Sequence, residues 1–388
     1  MLRVLHTADV HLGARHPDLG EQAPAQRERQ FAALARTIDL ATAERVDLVL
    51  VCGDLFDSNA QPRRTVERAA TELGRLVAAR IRTVLIPGIH DVYDRASVYR
   101  AYDLAELAGA PEGSDLLTVL TPERPSILLP ALDAVVYGRV LSTARASESP
   151  LAGFDVRSDE RAAWKIGMIH GSLAIPGRTD PAEVVFTREE VEASGLDYLA
   201  LGHWHSTLVG KAGRVQYAYS GAPEPVALEQ DEAGRVLLVE LSIVDGVRRV
   251  SVAQQQVGRT RFEKLDVLAG SIVSQSALVA DLGRRADPDL ILDARLTGVR
   301  PDELELVTAE VEAALAGSFL KIRVRDRSVA SLGDGPAPPP DTVVGAFTRD
   351  LEARIVALEG EGRDEEAAEA REALRVGRLL LAGREVVP

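Results

Sequence analysis

Cysteine is almost absent from this 388-residue chain: Cys52 stands alone, so no intramolecular disulfide can form and a reducing compartment is expected. No apolar run approaches the roughly 18 residues needed to cross a bilayer, so no membrane span is expected. A signal peptide is not expected either, because the chemically loaded stretch HTADVHLG already begins at His6. The chain is therefore read as cytoplasmic. Lysine is scarce, supplying four of the 45 basic residues and leaving 41 arginines. Arginine suits bidentate phosphate contacts, although a genome-wide bias in composition accounts for the excess equally well. Aromatic residues make up 4% and lack the interleaving with cations expected of a base-stacking platform, which favours backbone over base recognition. Positive charge is outweighed, at a net −14. That disfavours a broad nucleic-acid surface, but a local basic face or bound divalent cations can reverse the sign at a site.

What is present is the pattern of a layered protein of two or three domains. LRVLH (2–6), DLVLVC (47–52) and RTVLIP (82–87) read as short buried strands. Between the first two, Phe31, Leu34, Ala35, Ile38 and Ala41 mark one face of a helix. Val66, Leu73, Leu76 and Val77 mark a second helix. This β-α-β-α-β rhythm predicts a buried sheet flanked by helices. Further strands are expected at 133–140, 164–170, 197–203 and 214–220, followed by a hairpin turning at Asp245-Gly246. The texture changes near residue 256. Two helices and three strands over 256–332 suggest a small α+β domain, GDGPAPPPD (333–341) a stiff linker, and 342–388 a helical pair. The first helix carries Val344, Phe347, Leu351, Ile355 and Leu358, and the second Ala367, Ala370, Leu374, Gly377 and Leu381, spaced 3-4-3-4 as in a coiled-coil seam.

Five stretches that follow strand-like runs end in metal-ligand residue types. They are ADVHLG (Asp9, His11), CGDLFD (Asp54, Asp57), PGIHD (His90, Asp91), MIHGS (His170) and LGHWHS (His203, His205). Six of the seven histidines lie in these stretches or at their edge. A lone histidine at a strand end is more often structural than a ligand. Carboxylates and imidazoles converging from the carboxyl ends of neighbouring strands reverse that judgement, because the sheet fixes the loops while leaving their tips open. Mixed Asp/His donors without thiolate suit Mn²⁺, Fe or Zn²⁺ rather than Ca²⁺. Two such ions roughly 3.5–4 Å apart can share a carboxylate and clamp a phosphate. The i, i+2 spacing of Asp9-x-His11 and His203-x-His205 places both members of each pair on one side of an extended segment.

The order D-x-H, G-D-x-x-D, H-D, H-G, G-H-x-H resembles the calcineurin-like metallophosphoesterases. HTADVHLG, GDLFD and LGHWH with YSGAPEP are similar to their DNA-repair exonuclease branch, the SbcD family, and within it the YhaO-like subgroup. The resemblance covers about residues 1–255. It implies a four-layer α/β/β/α sandwich carrying a small α+β capping domain and a C-terminal helical pair. It also implies two divalent ions, Mn²⁺ first among candidates and Fe, Zn²⁺ or Mg²⁺ after it. Carried over, Asp9, His11 and His205 would hold one ion, Asp54 would bridge, and His170 and His203 would hold the second. His90 would contact the scissile phosphate and protonate the leaving oxygen. Asp57 and Asp91 would orient ligands, with turn stabilisation as the plainer alternative. One position departs from the pattern. Ile89 stands where the family has an asparagine that ligates the second ion, so that site is expected to be weakened.

The resemblance further implies DNA as substrate, an SMC-like ATPase of the SbcC type docking on the C-terminal helices, and a homodimer formed through 62–80 and 94–108. Arg63 and Arg64 are candidate DNA contacts, as are Lys321, Arg323, Arg325 and Arg327, which alternate with apolar residues as on one strand face. The expected activity is metal-dependent exonucleolytic hydrolysis of DNA phosphodiesters from the 3′ side. Two rivals remain: a phosphodiesterase acting on small nucleotides or other phosphoesters, and a DNA-end-binding subunit weakened in catalysis at Ile89.

Overall fold

The computed structural model describes the chain except for residues 141, 144–147, 178, 181, 227–232, 302–303, 331–337 and 384–388. It divides into two compact units, residues 1–260 and 261–388.

The first unit opens with β1 (Leu2–Thr7), α1 (Ala23–Ala43), β2 (Leu48–Cys52), α2 (Arg63–Ala78) and β3 (Arg82–Ile86), the expected alternation. Two single-turn helices, α3 (Val98–Ala101) and α4 (Leu104–Leu107), lie where one helix over 94–108 was expected. Tyr102, with extended backbone, separates them. Then come β4 (Leu117–Val119), β5 (Ser126–Leu129), β6 (Ala134–Arg139), β7 (Trp164–His170), β8 (Ser172–Leu173), β9 (Val185–Phe186) and α5 (Arg188–Ala193). The unit closes with β10 (Tyr198–Gly202), β11 (Leu208–Ala212), β12 (Val215–Tyr219), β13 (Arg235–Val244) and β14 (Val247–Gln256). The last two form the expected hairpin. Asp245 and Gly246 both take positive φ, as a two-residue primed turn requires.

Two six-stranded sheets result, ordered β14-β13-β1-β2-β3-β4 and β11-β12-β10-β7-β6-β5. Strands β1 to β4 run parallel, as do β12, β10, β7 and β6. Strand alternation explains the layers. Val4, Leu48, Leu50, Val84 and Ile86 pack between the sheets against Val136, Ile166, Met168 and Ala200. Their neighbours Leu5, Val49, Val51 and Leu85 face the other way, onto Phe31, Leu34 and Ile38 of α1 and Val66, Leu73 and Leu76 of α2. On the far side, Val135, Ile169, Leu199 and Leu201 lie under Val191 of α5. This is the four-layer α/β/β/α arrangement, and it requires strands apolar on both faces. Burying each such side chain contributes about 1.5–3 kcal/mol. On α1 Ala33 and Ala41 are buried, whereas Ala35, expected on the core face, is only half-buried.

In the second unit β15 (Arg261–Leu268), α6 (Gln275–Gly283), β16 (Asp287–Thr297), β17 (Val299–Arg300), α7 (Thr308–Leu315), β18 (Phe319–Asp326) and β19 (Val329–Ala330) precede a hairpin of α8 (Val343–Gly360) and α9 (Asp364–Leu381). Strands β15, β16 and β18 all run parallel through β-α-β-α-β connections, a direction that the α+β reading left open. Leu278, Leu282, Val311 and Leu315 cover one face of this sheet. The helical pair packs Ile355 and Leu358 on Ala367 and Ala370, and Phe347 on Gly377, where any Cβ would collide with the ring. The 3-4-3-4 seam fails at its last member: Leu381 is exposed and Leu379 is buried instead. Most of the expected linker, 333–341, falls outside the described residues.

Candidate metal centre

All five sequence stretches emerge at the carboxyl ends of parallel strands β1, β2, β3, β7 and β10. Backbone bonds tie the first two loops together, Asp9 N to Gly53 O (3.1 Å) and His11 N to Asp54 O (2.9 Å). Glycines then let the strand ends close. A Cβ on Gly88 would lie 2.2 Å from Asp54 Oδ1, and one on Gly202 would lie 1.9 Å from Cys52 O. Asp9, His11, Asp54 and His203 all hold positive φ. That conformation costs an L-residue roughly 1–2 kcal/mol and persists only where the surroundings enforce it.

The side chains converge as three overlapping groups. Asp9, His11 and His205 form one; Asp9, Asp54 and His170 form another; His11, Asp57 and His90 form the third; within each, ligand atoms lie within 4.8 Å of one another. His11 Nε2 is 3.2 Å from His205 Nε2 and 3.7 Å from Asp54 Oδ2. His170 Nε2 is 3.1 Å from Asp54 Oδ2 and 4.0 Å from Asp9 Oδ1. Asp9, His11, Asp54 and His170 are all buried.

The outer hydrogen bonds test whether cations fit here. His170 Nδ1 donates to the Cys52 carbonyl (2.9 Å), which leaves its buried Nε2 turned toward the Asp54 carboxylate. His11 Nδ1 donates to Asp57 Oδ1 (3.2 Å), so its Nε2 also points inward. Inner nitrogens turned toward carboxylates, with outer nitrogens anchored, are what a metal-binding imidazole requires. Donor set and orientation therefore fit divalent cations shared by Asp9 and Asp54.

Protons and carboxylates share the charge of this pocket. Burial disfavours charge on His170, yet the Asp54 carboxylate outweighs it and drives the ring up to about 10. Burial lifts Asp9 to about 6, although neighbouring His170 and His11 pull the other way. Asp54 is also desolvated, but the same imidazoles overcome that and hold it well below the usual carboxylate range. Burial and then the nearby His170 lower His203.

The remaining expected residues fall in different places. His90 is exposed; its backbone N–H donates to Asp54 Oδ1 (2.8 Å) and its Nδ1 to Asp57 O (3.1 Å). Its ring meets that of His11 edge-on, with centroids 4.7 Å apart. Ile89 beside it is half-buried and offers no donor atom. Asp91 is buried. It accepts backbone N–H bonds from Gly88 (2.7 Å), Asp54 (3.2 Å) and Phe56 (3.1 Å) and the Tyr99 hydroxyl (2.5 Å), which makes it a buried staple between two loops. His203 donates its backbone N–H to Asp9 (3.0 and 3.1 Å), and its ring lies 5.5 Å from that of His170. None of the three groups includes it.

Of the basic candidates, Arg63 pairs with Glu67 on its own helix (2.7 Å). Arg64 lines a hollow of about 470 Å³ with Gly13, Arg15, Arg27 and Gln61. Lys321, Arg323 and Arg325 share one face of β18, but Arg327 lies beyond its end, so the stripe holds three cations rather than four. Arg325 pairs with Asp293 (2.9 Å), and Arg295 beside it with Asp266. Sequence reasoning missed Glu183, whose Oε2 lies 3.2 Å from His203 Nε2. It precedes the two-residue strand β9, too short to announce it.

The family model described as calcineurin-like phosphoesterase matches residues 2–207. The "Uncharacterized metallophosphoesterase YhaO" of Bacillus subtilis (strain 168) is 30% identical over 233 residues, covering 57% of this chain and 52% of that protein. The "DNA double-strand break repair protein Mre11" of Aeropyrum pernix is 29% identical over 250 residues, 62% of this chain and 58% of that one. A component of the nuclease SbcCD of Rhodobacter capsulatus is 28% identical over 264 residues, 59% of this chain and 64% of that one. The chain thus spans little more than half the length of the first two. No described helix is long and apolar enough to cross a membrane. With the matched segment running from β1 through the His203-x-His205 loop, the chain belongs to the calcineurin-like phosphoesterase family.

Proposed function

We propose that this chain is a metal-dependent DNA exonuclease, trimming ends from the 3′ side in DNA repair together with an SMC-like ATPase. The observation that carries the reading is the convergence of the inner nitrogens of His11, His170 and His205 on the shared carboxylates of Asp9 and Asp54. Two divalent cations held there, Mn²⁺ first among candidates, would supply a nucleophilic water and neutralise developing phosphate charge. Asp9 and Asp54 contribute the negative charge that receives them. Asp57 holds the His11 ring in orientation. His90, anchored through its backbone and Nδ1, presents Nε2 to donate a proton to the departing 3′ oxygen. The names of the repair relatives support DNA as the substrate class. Partner docking is assigned to the α8–α9 hairpin, which exposes Val343, Val356, Leu380 and Leu381. Homodimerisation through 62–80 and the two short helices after it belongs to the same reading.

The test is Mn²⁺-dependent degradation of an end-labelled duplex beside hydrolysis of a chromogenic diester. Duplex trimming from the 3′ end supports the reading. Diester hydrolysis without trimming selects a small-substrate phosphodiesterase, and duplex binding without either activity selects a non-catalytic end-binding protein.

A further inference from the structure

A chain of hydrogen bonds runs behind the half of the site where Ile89 offers no ligand. At its start is Trp204, between the two histidines of the β10 loop; its Nε1 donates to Ser172 Oγ (3.0 Å). Indole is a donor only, so Ser172 receives there and turns its own hydrogen onward. The Ser172 hydroxyl donates to Glu183 Oε2. The same oxygen lies 3.2 Å from His203 Nε2. A carboxylate only accepts. His203 must therefore carry its proton on Nε2, which leaves the lone pair on Nδ1. The start of the chain is itself immobilised. Trp204 stacks on Tyr219 with ring centroids 4.5 Å apart at 17°. The Tyr219 hydroxyl in turn donates to Gly171 O and accepts from Leu173 N, both at 2.8 Å, on either side of Ser172.

We propose that Glu183 is a positioning residue of the second cation site: by accepting from His203 Nε2 it fixes that ring's tautomer and aim, in a chain that has Ile89 where an amide ligand would stand. This rests on the two-cation reading above. His11 has Asp57 and His170 has the Cys52 carbonyl as outer anchors; Glu183 gives His203 the same support. The resulting order is consistent: every candidate ring hydrogen-bonded outside keeps one nitrogen for a cation. Because the second site has lost one donor, the aim of each remaining donor carries more of its affinity. An outer partner of this kind is typically worth about 10–100-fold in metal affinity.

Mn²⁺ titration by calorimetry, with the exchange-coupled electron paramagnetic resonance signal of a filled pair as second readout, tests this on the full chain. Glu183→Ala is expected to weaken the second equivalent about 10–100-fold, leave the first unchanged and abolish the coupled signal at equal Mn²⁺. Glu183→Gln keeps an acceptor oxygen and is expected to restore binding to within a few-fold of wild type. Equal binding by wild type and Glu183→Ala, or equal loss in both variants, overturns the role of Glu183 alone. Failure of the wild-type chain to take up Mn²⁺ overturns the two-cation reading, and this inference with it.

Discussion

The backbone N–H of His90 donates to Asp54 Oδ1 at 2.8 Å. The loop bearing the proposed proton donor is thus fastened to the carboxylate that both proposed cations share, and a change to either is felt by the other. His90 itself is exposed, so removing its ring should not disturb the scaffold. We expect His90→Ala to lower turnover by about 10²–10⁴-fold, the usual worth of a positioned proton donor, while Mn²⁺ uptake and melting temperature stay as in wild type. Retained turnover removes His90 from the chemistry.

Ile89 precedes that ring. If a missing amide limits the second cation, Ile89→Asn should tighten the second Mn²⁺ equivalent by roughly tenfold, about 1.4 kcal/mol, and raise activity at low Mn²⁺. An unchanged Mn²⁺ dependence of activity counts against this account.

Asp91 answers differently. Three backbone N–H groups and one hydroxyl end on its buried carboxylate. Buried donors left without an acceptor cost about 1–3 kcal/mol each. Asp91→Ala should therefore lower unfolding free energy by about 4 kcal/mol or more, measured by urea titration. A change below about 1 kcal/mol would mean that the loops hold without it.

Gly88 leaves no room for a side chain beside Asp54. With a Cβ 2.2 Å from Asp54 Oδ1 and 2.6 Å from Asp54 N, the carboxylate or the turn must shift. Gly88→Ala is expected to weaken both Mn²⁺ equivalents by at least about tenfold, because Asp54 serves both. Calorimetry showing wild-type affinities would place the bridging carboxylate elsewhere.

His6 sets a pH dependence remote from the cations. It lies wholly buried between the sheets with Nδ1 2.9 Å from the Tyr198 hydroxyl, and burial pushes its pKa down to about 3. The unfolded chain binds a proton near 6.5 that the folded chain refuses until about 3. Stability is therefore fully present above about 6.5 and falls as pH drops toward 3, by up to about 1.4 kcal/mol per unit from this ring. Replacing both partners, His6→Leu with Tyr198→Phe, should flatten the slope by close to that amount between pH 6 and 4. An identical slope would show that the ring is charged when folded.

The sequence displayed those parts of the molecule in which one residue type has one physical use. Strands apolar on both faces announced the parallel core, and Asp245-Gly246 announced the hairpin. The Asp and His residues that follow strand ends pointed to the site before any coordinates. Other features depend on partners distant in sequence. Asp91 reads as one more acidic residue until its four donors are seen. Glu183 lies in GRTDPAEVV, which has no periodicity, and gains meaning only where the β10 loop brings His203 back to it. Ala33 is buried where Ala35 was expected, and Leu379 where Leu381 was, because a helical period marks the centre of a buried face better than its edges. The three-residue edge strand β4 has too few residues for alternation to speak.

Four positions, Asp9, His11, Asp54 and His203, adopt a backbone conformation that glycine alone accepts freely. Glycine there would relieve strain and, with it, remove a carboxylate or imidazole. A selection for heat tolerance applied to this chain would thus find some of its easiest gains at the residues whose loss disarms it, so its durability and its chemistry compete for the same few codons.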